Sequence, residues 1–158
     1  MTVKVQDLPA LHVAYVANLE GYSEEKIGRA WAALCRWASA RNLLGLDATL
    51  LGMSFDNPDV TPANRCRYYA CVKVPPDTQT GGEIGVMDIP GGRHAIYDFR
   101  GRMSDIKGAY KEFYGIWLPS SGFQPADRPS YEIYRTTPGS RPDSVFEMDI
   151  CMPIEPLR

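Results

Sequence analysis

A shift of 80 residues lays this chain on itself without a gap. Gly21, Gly28, Trp37 and Cys71 fall on Gly101, Gly108, Trp117 and Cys151, each pair 80 positions apart. Apolar character agrees in the same frame: Val16 lies on Ile96, Leu19 on Phe99 and Met53 on Ile133. A period near half of the 158 residues predicts two copies of one supersecondary unit, because a repeat constrains architecture before any local propensity does.

Each copy reads as strand, helix, strand, strand. In the first, residues 3–19 carry the β-branched and aromatic residues of a strand. Ser23 is a helix N-cap with Glu24 and Glu25 in the first turn, where the helix dipole favours acids. Ile27, Trp31, Leu34 and Ala38 recur at helical spacing, and Gly45 is the expected stop. Residues 48–55 and 66–74 follow as strands. In the second copy the strand is 93–99, Ser104 and Asp105 open the helix, and Pro119 is expected just past its end. Tyr110, Phe113, Tyr114 and Trp117 stripe that helix; strands at 131–135 and 145–152 flank a turn at 137–142. Residues 75–82 read as a polar linker and 83–89 as an extra strand. The boundaries are repeat one at about 3–75, linker and extra strand at about 76–90, and repeat two at about 91–155, all in a single domain spanning 1–158.

Two such units predict an α+β domain with a pseudo-twofold axis, an antiparallel sheet and two long helices on one side. The seam between the copies is the expected ligand cleft. Composition narrows the partners. Apolar residues make up 44% and charged residues 23%, a globular balance, and the net charge of −2 supplies no basic stripe for nucleic acid. No apolar run approaches the roughly 18 residues a membrane span needs. Cys35, Cys66, Cys71 and Cys151 form no CxxC pair and stand with only His12 and His94, so they read as buried thiols of a cytoplasmic protein, with no metal and no cofactor expected.

Specific segments then carry a family resemblance. Phe55-Asp56-Asn57-Pro58-Asp59-Val60-Thr61-Pro62 resembles the YDNPxxTP loop of GyrI-like small-molecule-binding proteins, and Cys71-Val72-Lys73-Val74-Pro75 the strand that ends their first unit. Gly91-Gly92-Arg93-His94-Ala95 is similar to their GGxYA turn, and Pro129-Ser130-Tyr131-Glu132-Ile133-Tyr134 to their PxFExY strand. The order and spacing hold from about residue 3 to residue 155. The resemblance implies the effector-binding fold seen alone or behind DNA-binding domains of the AraC and MerR types. This chain is expected to be a stand-alone member. The activities it implies are sensing of drug-like, often cationic aromatic molecules, opposition to DNA gyrase poisoning, and hydrolysis of cyclopropane-bearing genotoxins.

The resemblance places Glu132 where the family carries a buried acid that meets cationic ligands. A carboxylate among Tyr131, Ile133 and Tyr134 must be paired, protonated or waiting for a ligand, since an unpaired buried charge is costly. The plainer alternatives put it on a solvated face or pair it with an arginine such as Arg135. Alternation puts Tyr134 on the Glu132 face and Ile133 on the other. In the 80-residue frame Gly52 and Ser54 stand opposite Glu132 and Tyr134, and small residues there leave volume for a flat ligand; a bulge at Gly52 explains that glycine equally well. Tyr110 and Trp117 are the rings of the helical stripe expected at a wet boundary. Of the neighbours Tyr68 and Tyr69 only one can face a pocket, and Tyr68 is carried as the candidate. Met53 and Met148 belong to the core.

The leading expectation is thus a module that binds amphipathic, cationic aromatic molecules through Glu132, Tyr134, Trp117, Tyr110, Tyr68, Gly52 and Ser54. A hydrolase would use the same cleft, with Glu132 and Tyr134 as its catalytic pair. A third role is inhibition through contact with DNA gyrase.

Overall fold

The computed structural model describes residues 1–136 and 144–158; the turn expected at 137–142 lies outside them. In chain order the elements are β1 (Val3–Leu8), β2 (Leu11–Asn18), α1 (Glu24–Ala40), β3 (Leu50–Ser54), β4 (Tyr68–Lys73), β5 (Ile84–Ile89), β6 (Gly92–Gly101), α2 (Ile106–Glu112), α3 (Leu118–Ser120), β7 (Phe123–Pro125), β8 (Tyr131–Tyr134) and β9 (Phe146–Pro156). Short 3-10 turns occupy Ala63–Arg65 and Met103–Asp105, and a π turn occupies Phe113–Trp117. The elements gather into two compact units, Ala10–Pro90 and Met1–Pro9 with Gly91–Arg158. The class is α+β, and the described strand pairs are antiparallel.

In the Ala10–Pro90 unit the strands run β5–β2–β4–β3. Helix α1 forms as its sequence predicts: the Ser23 hydroxyl accepts the Lys26 N–H, and Glu24 and Glu25 fill the first turn. Its stripe of Ala30, Leu34 and Ala38 buries against Ala14, Val16, Ala70 and Val72 on one sheet face. The helix stops at Ala40, before the predicted Gly45. Asn42 adopts the left-handed region (φ 58°), the Leu43 N–H reaches the Ala38 carbonyl, and the Asn42 N–H reaches that of Ser39. These two bonds satisfy the last carbonyls, and asparagine tolerates the conformation nearly as glycine does. Asn42→Ala is therefore expected to cost about 1 kcal/mol and Asn42→Gly nearly nothing, read from urea midpoints.

The loop after β3 is tied down by one carboxylate. Asp56 accepts the backbone and guanidinium N–H groups of Arg67, while the Tyr22 hydroxyl donates to the Asp56 carbonyl and accepts its N–H. The bonds from Arg67 hold the Asp56 carboxyl below its ordinary pKa.

In the other unit the order is β1–β6–β9–β8, with β7 beside the far end of β9. The expected single strand over 3–19 is two. Pro9, which has no N–H to donate to a ladder, separates them, and β1 pairs with β6, Val3 opposite Tyr97 through Leu8 opposite Gly92. The first strand thus belongs with β6, β9 and β8. The predicted strand at 83–89 is β5, and it pairs with β2.

The second helix also departs from expectation. Pro119 lies inside the helical run, in α3. Proline in a regular helix clashes with the carbonyl four residues back. Here the turn before it is π, with the Leu118 N–H bonded to the Phe113 carbonyl, and the wider turn gives the ring room. Phe113 is fully buried on this run; its ring meets Tyr97, Tyr114 and Trp117 at 5.6, 5.7 and 5.7 Å between centroids. Met148, Ile150, Met152 and Ile154 of β9 complete this core. Met53 and Met148 are both fully buried, as core residues should be.

Candidate functional site

The period of two along β8 decides which side chains can meet. Tyr131 lies opposite Cys151 and Ile133 opposite Asp149, while Glu132 lies opposite Ile150 and Tyr134 opposite Met148. Ile150 and Met148 belong to the core beneath the helical run. Glu132 and Tyr134 therefore share the helix-facing side, as alternation predicts.

There the carboxylate is held from two directions. The Tyr110 hydroxyl, reaching down from α2, donates to Glu132 Oε2 at 2.7 Å. The Tyr134 hydroxyl, two residues along the same strand, donates to Oε1 at 2.9 Å. Hydrogen bonds to an ionised acceptor are short and about twice as strong as neutral ones. Burial raises the Glu132 pKa above the ordinary glutamate value, and the two phenol donors pull against that rise. Burial first, and then the Glu132 charge, push the Tyr110 phenol well up, so it stays protonated and remains a donor at neutral pH.

Two tyrosines touch this acid, and a third ring stacks on one of them. Tyr110 and Tyr114 stack at 6.0 Å and 20°, and the Tyr114 hydroxyl shares a hydrogen bond with Ser130 Oγ at 3.3 Å. Trp117 leans on Phe113 at 51°. Tyr110, Tyr114, Trp117, Ser130, Glu132 and Tyr134 are all only partly buried. An acid under aromatic walls that keep some solvent contact attracts a cation by charge and by the ring faces.

Arg135 does not pair with Glu132. Its guanidinium binds Asp98 of β6 and Asp149 of β9, both on the sheet face away from Glu132. Tyr114 and Ser130 were missed by sequence reasoning. The i+4 spacing from Tyr110 to Tyr114 was available as a signal, whereas Ser130 carries none.

Tyr68, Gly52 and Ser54 lie in the Ala10–Pro90 unit. Tyr68 is buried on the α1 side, where its hydroxyl accepts the Trp31 indole N–H at 2.9 Å. Tyr69 points the other way and stacks on Tyr15 at 4.7 Å and 4°, so the two neighbours face opposite sides of the sheet. Gly52 is buried in β3 opposite Ala70, in a regular ladder, and exposed Ser54 lies opposite Tyr68. Trp31 was missed as the partner of Tyr68. A cleft of about 390 Å³ in this unit runs between the start of α1 and Pro58, Ala63, Asn64 and Cys66; none of the candidate residues lines it.

Comparison with known proteins gives the family and the fold. Residues 1–155 match the profile described as GyrI-like small molecule binding domain. A DNA gyrase inhibitor of Serratia proteamaculans is 30% identical over 155 residues, 95% of this chain and 96% of that protein. Among solved structures, EcmrR in its complex with DNA superposes with a TM-score of 0.81 at 15% identity, covering 99% of this chain and 58% of the EcmrR chain. SAV2435 bound to tetraphenylphosphonium gives 0.64 at 14% identity, with 98% of this chain and 94% of that one covered. In length, in sheet and helix content, and in profile, this chain belongs to the GyrI-like small-molecule-binding domain family.

Proposed function

We propose that this protein captures amphipathic, cationic aromatic molecules, with Glu132 supplying the charge and Tyr110, Tyr114, Tyr134 and Trp117 the walls. The observation that carries the reading is the double donation to one partly buried carboxylate by Tyr110 and Tyr134. The two phenols favour the charged form of the acid in a site too dry to hydrate it fully, working against the rise that burial causes, and neither phenol cancels its charge. What remains is an anion lined with π-faces, complementary to a delocalised cation that needs little rehydration. The ligand of SAV2435, tetraphenylphosphonium, is of that chemistry.

Calorimetric titration with tetraphenylphosphonium and with triphenylphosphine oxide, a neutral molecule of similar shape, tests the charge. About tenfold or greater preference for the cation is expected, since one partly desolvated charge contact is worth about 1.4 kcal/mol or more. Equal affinities would remove the acid from the reading. The Serratia relative carries the name DNA gyrase inhibitor, and that gives a second reading, action on gyrase. A supercoiling assay with purified gyrase tests it, and full activity in the presence of micromolar protein retires it.

A further inference from the structure

The turn that leads into β6 is tied into a knot with the segment that leads into β8. Arg128 sends its guanidinium to the carbonyls of Gly91 and Arg93. Between them Gly92 has φ 141°, a conformation that L side chains rarely adopt, and a Cβ there would displace the guanidinium. His94 closes the turn from inside. Its Nδ1 lies 2.8 Å from the Gly92 carbonyl, an atom that can only accept, so Nδ1 carries the proton and Nε2 is a bare lone pair. The ring is 0% exposed, and Nε2 has no hydrogen-bond partner among the described residues. Against it stands the Tyr131 ring, at 5.6 Å, and Tyr131 is the residue directly before Glu132.

We infer that His94 is a positioning residue for Glu132: uncharged, it holds the Gly91–His94 turn and Tyr131 in place, and protonation releases both, so that ligand capture fails in acid through the strand as well as through the carboxylate. The charged and titratable groups around it are Asp7 of β1, Arg93 beside it on β6, Arg128, Tyr131 of β8 and Cys151 of β9, which lies opposite Tyr131. Asp7 and Arg93 are paired with each other at the surface. Arg128 is the cation left facing the ring, and it opposes a second positive charge. A protonated Nε2–H would also be buried with nothing to accept it. Burial, and then Arg128, favour the neutral ring, while the Gly92 carbonyl and Asp7 act the other way, and the net pKa is below the ordinary value. A ring held neutral contributes stability above the free-histidine pKa of about 6.5, and that contribution drains away as pH falls below it. The cheapest relief is local: the turn opens, Arg128 lets go, and β8 loses the brace under Tyr131.

The ligand part of this inference rests on the reading of Glu132 above; the strand part does not. Hydrogen exchange by mass spectrometry on the full chain without ligand decides the strand part. In wild type, the β8 amides are expected to lose about tenfold protection between about pH 7.5 and about pH 5, after correction for intrinsic exchange. The β2 and β4 amides serve as the unchanged control. His94→Asn, which keeps a donor for the Gly92 carbonyl and cannot ionise, is expected to flatten that profile. A flat wild-type profile, or the same loss in His94→Asn, overturns the inference. If the variant does not fold, an NMR titration of the His94 ring in wild type decides instead, since the loss of β8 protection must share its midpoint. Rhodamine affinity over the same range supplies the ligand part: wild type must weaken more steeply than His94→Asn. Absence of rhodamine binding at about pH 7.5, with exchange as expected, sinks the ligand reading and leaves the strand brace standing.

Discussion

Glu132→Gln is expected to weaken binding of a lipophilic cation such as rhodamine by about 10- to 100-fold, the equivalent of 1.4 to 2.7 kcal/mol for a partly buried charge contact. The substitution keeps the shape of the side chain and leaves one oxygen to accept from Tyr110 or Tyr134, so the loss reports charge. A neutral aromatic ligand should bind both forms alike. Unchanged cation affinity in Glu132→Gln would end the proposal that this acid receives the ligand. The pH dependence follows from the raised Glu132 pKa: affinity for a permanent cation falls as pH drops toward that pKa and the carboxylate takes up a proton. The effect on stability has the opposite sign. A carboxyl whose folded pKa is raised favours the folded chain below its unfolded pKa and loses that contribution as pH rises through the folded value. Glu132→Gln should accordingly be at least as stable as wild type at neutral pH, and its relative advantage should shrink in acid. Paired urea titrations at the two pH values check this, and a variant clearly weaker than wild type at neutral pH contradicts it.

Phe113→Ala is expected to be the most destabilising single change, at about 3–5 kcal/mol, because it empties a fully buried site between three other rings. For a chain of this size the melting temperature should fall by roughly 6–20 °C. Phe113 opens the π turn and touches Tyr114 and Trp117, so cation affinity should fall with it even where the variant remains folded. Trp117→Ala, at a half-buried ring, should cost distinctly less stability. A loss below about 1 kcal/mol for Phe113→Ala would mean that the core collapses freely around the gap, and that these rings do not depend on one another.

Particular residues show how far the sequence reaches. The alternation along 131–134 puts Glu132 and Tyr134 on one face, and the structure places them there. Ser23 caps α1 as its residue type and the acids after it suggest. Tyr110 was singled out for the polar end of its ring, and that end is the donor to Glu132. The errors fall where a segment has more than one partner open to it. Arg135 has an acid three residues back in the chain, yet it takes Asp98 and Asp149 from neighbouring strands. Asn42 stops α1 ahead of the more obvious Gly45. Pro119 reads as a helix stop and sits inside the helical run, because a π turn precedes it.

What the sequence determined by itself was local and periodic: an α+β chain, which faces of each strand and helix are apolar, and that one acid lies among tyrosines on a strand. Those follow from side-chain spacing, which needs no knowledge of neighbours. Only the tertiary structure decided that β1 joins β6, that Tyr110 and Tyr134 take one carboxylate oxygen each, and that His94 is closed in behind Tyr131 with no partner for Nε2 among the described residues. Each of these depends on which segments distant in the chain come together, and a hydrogen bond or a pKa shift exists only once they have done so.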